Sequence, residues 1–287
     1  MNGASIGVIG GSGLYEIEGL TDIKEIAAET PFGTPSDSIV LGTLGKIRVA
    51  FLPRHGKGHR IMPAEVPARA NIFALKAVGV RCLISVNAVG SLKEEIRPMD
   101  LVIPDQLIDR TQGRPSTFFG EGIVVHVPFA DPFCSSLSKT LYQAAQDAGA
   151  RAHKGGACVV IEGPAFSTKA ESHLYRSWGA SLVGMTQLPE AKLAREAGLC
   201  YASISMVTDY DCWHESHESV TVDLILANMA RTVDLTKNVI RTAIGSISPQ
   251  QDCGCEQALK YAIVTPRDHI PLMRRKTLDL LIREYLK

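Results

Sequence analysis

Residues 199–213 read LCYASISMVTDYDCW, an apolar and small-residue stretch that stops abruptly at Thr208-Asp209-Tyr210-Asp211. With Ile204, Met206 and Val207 at its centre, the run is not an alternating amphipathic strand. It reads as a strand covered on both faces, the environment of parallel sheets in α/β proteins. Such strands deliver polar groups to the carboxyl edge of the sheet, where open α/β folds bind their ligands. Two carboxylates two residues apart at that edge are costly to bury unless each meets a partner or a ligand. One of them is therefore a candidate to hold or donate a proton.

The rest of the chain alternates strand-like and helix-like segments in keeping with this. Strands are expected over 5–9, 39–44, 47–52, 82–86, 101–108, 157–161 and 182–185, with 39–52 a hairpin turning at Gly45-Lys46. Helices are expected over 66–79, 137–148, 170–178, 189–197 (with Pro189 in its first turn) and 222–244. The pattern predicts an α/β fold built on a single mixed β-sheet flanked by helices, one domain over 1–287. Its core is placed at about 1–245. The linker-like stretch 246–252 leads to a tail, 253–287, in which Leu278, Leu280, Leu281 and Leu286 suggest a docking helix.

Thirty Lys and Arg balance thirty Asp and Glu, so no net charge draws the chain to nucleic acid or to a membrane surface. No apolar run approaches the length of a membrane span, and the N-terminus lacks a signal-peptide pattern. A cytoplasmic protein is expected, with Cys82, Cys158 and Cys200 reduced in strand-like contexts. Cys253-Gly254-Cys255 reads as two spare surface thiols, as a local redox pair, or as half of a metal clip. No second pair at zinc-ligand spacing accompanies it, so no metal is expected.

Four predicted strand ends share one chemical character. Gly10-Gly11-Ser12-Gly13 is either a plain tight turn or an anion cradle of backbone amides and a hydroxyl; it is neither a Walker loop nor a dinucleotide fingerprint. Arg54-His55-Gly56-Lys57-Gly58-His59-Arg60 is either a solvated basic loop or a phosphate site, in which Arg54 forks onto oxygens and His55 donates a further bond. Asn87-Ala88-Val89-Gly90-Ser91 reads as a small-residue turn offering amides, and Met185-Thr186 closes a further strand. Together they describe a pocket for a small dianion, with no metal and no covalent nucleophile. Phe166 is either a core residue or a platform for a flat base. Val222 and Ile225, opening the long helix, can form an apolar wall. His126, alone among apolar neighbours in VVHVP, reads by default as a satisfied core or interface histidine.

These segments, in this order, resemble the trimeric purine nucleoside phosphorylase family, specifically its methylthioadenosine-cleaving branch. The resemblance is carried by Gly10–Gly13, Thr30-Pro-Phe-Gly33, Arg54-His-Gly56, Asn71 with Ala74-Leu75-Lys76, Gly90–Glu95, Asp105–Arg110, His126 with Asp131–Cys134, Glu162-Gly-Pro164, Met185-Thr186 and Thr208–Trp213. It spans about residues 5–266. It implies a homotrimer that uses inorganic phosphate as co-substrate, needs no cofactor, and cleaves methylthioadenosine to adenine and 5-methylthioribose 1-phosphate. It also implies roles: Ser12, Arg54, His55, the Ala88 amide and Thr186 on phosphate, Phe166 stacked on the purine, and the Met185 region at the ribose hydroxyls. Asp209, with Asp211 nearby, would serve the N7/N6 edge. Val222, Ile225 and a neighbouring subunit's His126 would line the methylthio pocket, with the tail near Val264 closing it.

Two positions bear on base preference. Asn87 stands where methylthioadenosine enzymes carry Thr and looks more like the general nucleoside and methylthioinosine phosphorylases. Asp209 suits 6-aminopurines, because a carboxylate accepts from an exocyclic amine and repels a carbonyl, whereas the 6-oxopurine enzymes carry Asn there. Ser167 stands where mammalian-type 6-oxopurine enzymes carry Glu. A methylthioinosine or 6-oxopurine nucleoside phosphorylase is the alternative reading; a water-using nucleosidase and a non-catalytic nucleotide sensor are the more distant rivals.

Overall fold

The apolar runs pair into one eleven-stranded mixed sheet in a computed structural model that describes residues 3–11, 14, 16–214, 221–248 and 253–286. In chain order the elements are β1 (Ile6–Gly10), β2 (Leu20–Ile26), β3 (Ile39–Leu44), β4 (Ile47–Pro53), α1 (Ala68–Ala77), β5 (Cys82–Ser91), β6 (Leu101–Ile103), β7 (Gln106–Arg110) and α2 (Ser135–Asp147). They continue with β8 (Ala152–Lys154), β9 (Ala157–Ile161), α3 (Lys169–Ser177), β10 (Leu182–Gly184), α4 (Gln187–Glu196), β11 (Cys200–Asp209), α5 (Val222–Ser246), α6 (Leu272–Thr277) and α7 (Asp279–Ile282). The main path runs β2-β3-β4-β1-β5-β10-β9-β7, and β11 joins β5 to β6, which pairs with β8.

β11 is buried along its whole length, and its period-two geometry sends alternate side chains to opposite faces. Tyr201 and Val207 enter one apolar cluster with Leu83, Val89, Ile72, Leu75 and Leu193 beneath α1 and α4. Ala202, Ile204 and Met206 enter the other, with Ile84, Leu137, Leu141, Ile240 and Ile244 beneath α2 and α5. Each fully buried Leu or Ile of this kind contributes about 1.5–3 kcal/mol.

Local chemistry sets several boundaries. Thr168 and Glu171 form a reciprocal capping box at the start of α3, and Thr221 caps α5 through the Leu224 amide at 3.2 Å. Within α4 Leu188 is extended (φ −114°, ψ 138°), so the regular helix begins at Pro189 as expected.

Three expectations are corrected. Residues 87–91 are not a turn: β5 continues to Ser91, because its far end finds partners in β11 and β10. The single strand over 101–108 is two, broken at Pro104-Asp105. There proline offers no ladder donor, and pairing changes from β11 and β8 to β9. β2 and β8 were unforeseen; β2 is an edge strand with largely exposed side chains and so carries no burial pattern. In the tail Leu278, Leu281 and Ile282 are buried in the α1/α4-side cluster. No helix among the described residues is long and apolar enough to cross a membrane.

Candidate active site

β1, β4, β5 and β11 run parallel, so the segments following β1, β4 and β11 meet the far half of β5 at one edge of the sheet. β10 runs antiparallel to the last residues of β5, pairing Val183 with Gly90. It ends at Gly184, which packs on Val89. Arg54, Asn87–Ser91, Met185-Thr186 and Thr208–Asp211 are thereby gathered from four distant parts of the chain.

Asp209 is aimed by a β-bulge. The β11–β5 register shifts between Val207 and Asp209, so Thr208 is the extra residue and Asp209 pairs with Gly90. Bulges near sites commonly redirect a side chain in this way. The Asp209 carboxyl is 6% exposed. It accepts the Thr208 hydroxyl at 2.7 Å on Oδ2 and the Asp211 amide at 2.7 Å on Oδ1. Burial raises its pKa above the ordinary carboxylate range, against the lowering effect of those two donors. Gly90 makes room: a Cβ there would lie 2.9 Å from Asp209 Oδ1 and 3.2 Å from Val183 Cγ1.

Asp211 is buried beside it, with positive φ (51°) and no hydrogen-bond partner for Oδ2. Burial, reinforced by the Asp209 charge, pushes its pKa up to about 6. Stability linked to this group is full below the ordinary value of 3.8 and is lost as pH rises through about 6. Asp211→Asn is expected to remove that loss and raise stability at pH 8 by about 3 kcal/mol, since each pKa unit is worth about 1.4 kcal/mol. Calorimetry of both proteins from pH 4 to 8 checks this; parallel curves would refute it. Ser167 Oγ, on the neighbouring loop, is also buried and unpartnered. Orphaned buried polar atoms are uncommon in native structures and call for an explanation such as a ligand.

The anion side is more committed than the sequence suggested. Arg54 is 2% exposed and ion-paired to Glu190 through Nε, with Nη2 3.2 Å from Glu190 Oε2. Its other donors reach the Val86 carbonyl (2.8 Å), the Ile9 carbonyl (3.3 Å) and Ser85 Oγ (2.7 Å). Of five N–H groups, one on Nη1 is left for an anion, so a two-pronged fork onto phosphate is not available in this arrangement. His55 Nδ1 lies 2.8 Å from the Ile61 carbonyl and must donate to it. Burial, then the Arg54 charge, pulls its pKa down to about 4. The ring is neutral at pH 7 and its Nε2 is an acceptor, so an anion would meet it through a P–OH group rather than by accepting from it.

Thr186 donates to Asn87 Oδ1 at 2.6 Å, and Asn87 Nδ2 donates to Ser203 (2.7 Å) and Ser85 (3.2 Å). Arg54, Ser85, Asn87 and Thr186 form one polar chain. Asn87 is spent inside it, while Asp209 lies on the other side at Gly90. The Ala88 carbonyl lies close to Gly184, beside Thr186. Ser12 lies outside the described residues.

Met185 packs on Gly163, where a Cβ would stand 2.5 Å from its Sδ. Phe166 is 43% exposed and so is not a core residue. Its loop is held near Asp211 by Cys212 Sγ, which donates to the Ser167 carbonyl at 3.2 Å. Val222 is exposed and Ile225 half-buried on the first turns of α5, whose Asn228 donates to the Thr208 carbonyl at 2.7 Å. His126 is exposed, which overturns the core half of its reading and not the interface half. Val125 and Val127 beside it pack inward and turn it outward. Its amide donates to the Ala262 carbonyl at 2.9 Å, and the adjacent Val264 amide donates to Val124 at 2.9 Å.

Sequence reasoning passed over three positioning residues. Glu190 neutralises Arg54. Arg114 donates to the carbonyls of Met185 (2.7 Å), Leu188 (2.9 Å), Ile161 (3.2 Å) and Glu162, clamping the ends of β9 and β10. Asn228 ties α5 to the bulge. None carries a local signal; the alternate serines of YASISM were the one visible trace of the polar chain.

Comparison with known proteins agrees with this geometry. The chain is 57% identical over 282 residues to the S-methyl-5′-thioadenosine phosphorylase of Geobacter sulfurreducens, covering 98% of this chain and 99% of that one. A crystal structure of methylthioadenosine phosphorylase from an antarctic soil metagenomic library superposes with TM-score 0.94 at 48% identity, over 98% of this chain and 99% of that one. Methylthioadenosine phosphorylase from Schistosoma mansoni in complex with adenine gives TM-score 0.81 at 35% identity, over 98% of each chain. Residues 5–245 match the family model described as the phosphorylase superfamily, and with this fold and these relatives the chain belongs to that superfamily.

Proposed function

We propose that the protein catalyses phosphorolysis of S-methyl-5′-thioadenosine to adenine and 5-methylthioribose 1-phosphate, a pentosyl transfer in purine and methionine salvage. The carrying observation is the buried Asp209 carboxyl, its pKa raised by burial, at the edge that also gathers Arg54, His55 and Thr186.

A phosphate oxygen attacks the anomeric carbon, the bond from that carbon to N9 breaks, and its electron pair passes to the purine. Asp209, protonated, donates to N7, which absorbs the developing charge. The Thr208 hydroxyl supports both states of the acid: it faces Asp209 Oδ2 at 2.7 Å and the Val89 carbonyl at 3.2 Å. It donates to the carboxylate when Asp209 is ionised and to Val89 when Oδ2 carries the proton. Held against the sugar, phosphate supplies proximity and stabilises the cationic ribose. Phosphate is a co-substrate and no cofactor is invoked.

Ser12, Arg54, His55, Ala88 and Thr186 are assigned to phosphate. Phe166 is assigned to the base, the Met185 region to the ribose, and Val222 and Ile225 to the methylthio group. The assembly is proposed to be a cytoplasmic homotrimer with sites completed by a neighbouring subunit. Exposed His126, Val124 and Val264 share one surface patch that suits such a contact. The alternative of a 6-oxopurine substrate loses its motive, because the Asn87 side chain is consumed by Ser85, Ser203 and Thr186.

The test is release of free base from methylthioadenosine, adenosine and methylthioinosine, each with and without phosphate. Fast, phosphate-dependent release of adenine from methylthioadenosine is expected. Equal release without phosphate would favour a nucleosidase, and preference for methylthioinosine would favour the alternative.

A further inference from the structure

Four cysteines far from the candidate active site converge on one point. Cys253 and Cys255 in the tail meet Cys134, which precedes α2, and Cys200, the first residue of β11. The four Sγ atoms all lie within 4.8 Å of one another, and Cys200 and Cys253 are 3.2 Å apart. Cys134, Cys200 and Cys255 are buried and Cys253 is half-buried. All are free thiols. The second pair that the sequence did not display beside Cys-Gly-Cys is thus supplied by the fold.

The scaffold holds these positions independently. The Cys134 amide donates to the Tyr201 carbonyl at 2.7 Å, locking the start of α2 to β11, and the Cys200 amide donates to the Arg81 carbonyl at 2.8 Å. On the tail, Glu256, next after Cys255, pairs with Arg81, and Tyr285 donates to the Glu256 carbonyl at 2.5 Å.

Thiols are weak hydrogen-bond donors and gain little by crowding together. Disulfides would draw the sulfurs into separate bonded pairs near 2 Å. A quartet in which every sulfur is near every other is what a tetrahedral ion requires: Zn–S bonds of about 2.3 Å place the sulfurs roughly 3.8 Å apart. We propose that Cys134, Cys200, Cys253 and Cys255 form a structural site for a thiophilic divalent cation, zinc foremost, that fastens the tail to the body of the sheet. With four protein ligands the site is closed, so its role is structural. Binding displaces the four thiol protons and leaves a dianionic centre, which Lys76 and Arg81 beside Cys200 and Cys82 offset. Because Ala262 and Val264 of the same tail hold the 124–126 segment, the cation would also steady the surface that carries His126.

The experiment is elemental analysis of full-length protein purified in reducing, chelator-free buffer, paired with thiol titration and intact mass. About one zinc per chain is expected, released together with thiol reactivity by an organomercurial. Removing zinc should lower the melting temperature by about 5–10 °C, as for a ligand saturating its site a hundredfold. Cys253→Ser with Cys255→Ser should abolish both the metal and the chelator sensitivity. Apo wild type should regain zinc and melting temperature on titration, which tests the site without any variant. Wild type that neither contains nor takes up zinc would overturn the proposal. So would a mass short by the hydrogens of one or two disulfides with a matching loss of titratable thiols.

Discussion

Asp209→Asn is expected to slow turnover of S-methyl-5′-thioadenosine by about 100- to 10,000-fold, the usual contribution of a positioned general acid. The amide fits the same space beside Gly90 and can still accept the Asp211 amide, so the fold and the KM should change little. What is lost is the titratable proton that the proposed mechanism delivers to N7. The loss should therefore fall on kcat, and the alkaline limb of the kcat profile set by this acid should vanish. Activity on methylthioinosine should rise relative to methylthioadenosine, because an Asn amide can donate to a 6-carbonyl that a carboxylate repels. Steady-state kinetics with both nucleosides at saturating phosphate decide it; unchanged kcat on methylthioadenosine would remove Asp209 from the chemistry.

Glu190→Ala should be the most destabilising single change at the candidate site. Arg54 and Glu190 have side chains 3% and 1% exposed. Removing one member of such a pair leaves an uncompensated buried charge, at a cost of about 3–5 kcal/mol. Ser85 Oγ, 3.1 Å from Glu190 Oε2, and Tyr201 Oη, 3.5 Å away, lose a partner as well. Urea unfolding should show the loss, and inorganic phosphate should restore part of it by meeting the freed guanidinium. Replacing both residues by methionine should recover most of the stability while weakening phosphate binding, since well-packed apolar pairs often substitute for buried ion pairs. A loss under about 1 kcal/mol in Glu190→Ala would show that the pair is not holding the strand ends together.

Much of the scaffold was legible because its signals are local. The two-face burial of β11 followed from an unbroken apolar run. The 39–52 hairpin followed from two strand-like runs meeting at Gly45-Lys46, and α4 from Pro189. β5 was cut short because Asn87–Ser91 looks like a turn in isolation; only β10 and β11 make it a strand. β2 was missed because an exposed edge has no reason to alternate apolar residues.

Strand ends rich in glycine, arginine, histidine and acidic residues were enough to single out the segments that the fold gathers at one edge of the sheet, since those residue types are local chemistry. Which hydrogen of Arg54 remains free, that His55 accepts rather than donates, that Asn87 serves Thr186, and that Glu190, Arg114 and Asn228 support the site were decided only in three dimensions. The same holds for the thiol quartet, half of which lies more than fifty residues from Cys253. The physical reason is one: burial pattern and backbone preference are written along the chain. Desolvation, hydrogen-bond saturation and charge neutralisation depend on neighbours that only the folded sheet brings together.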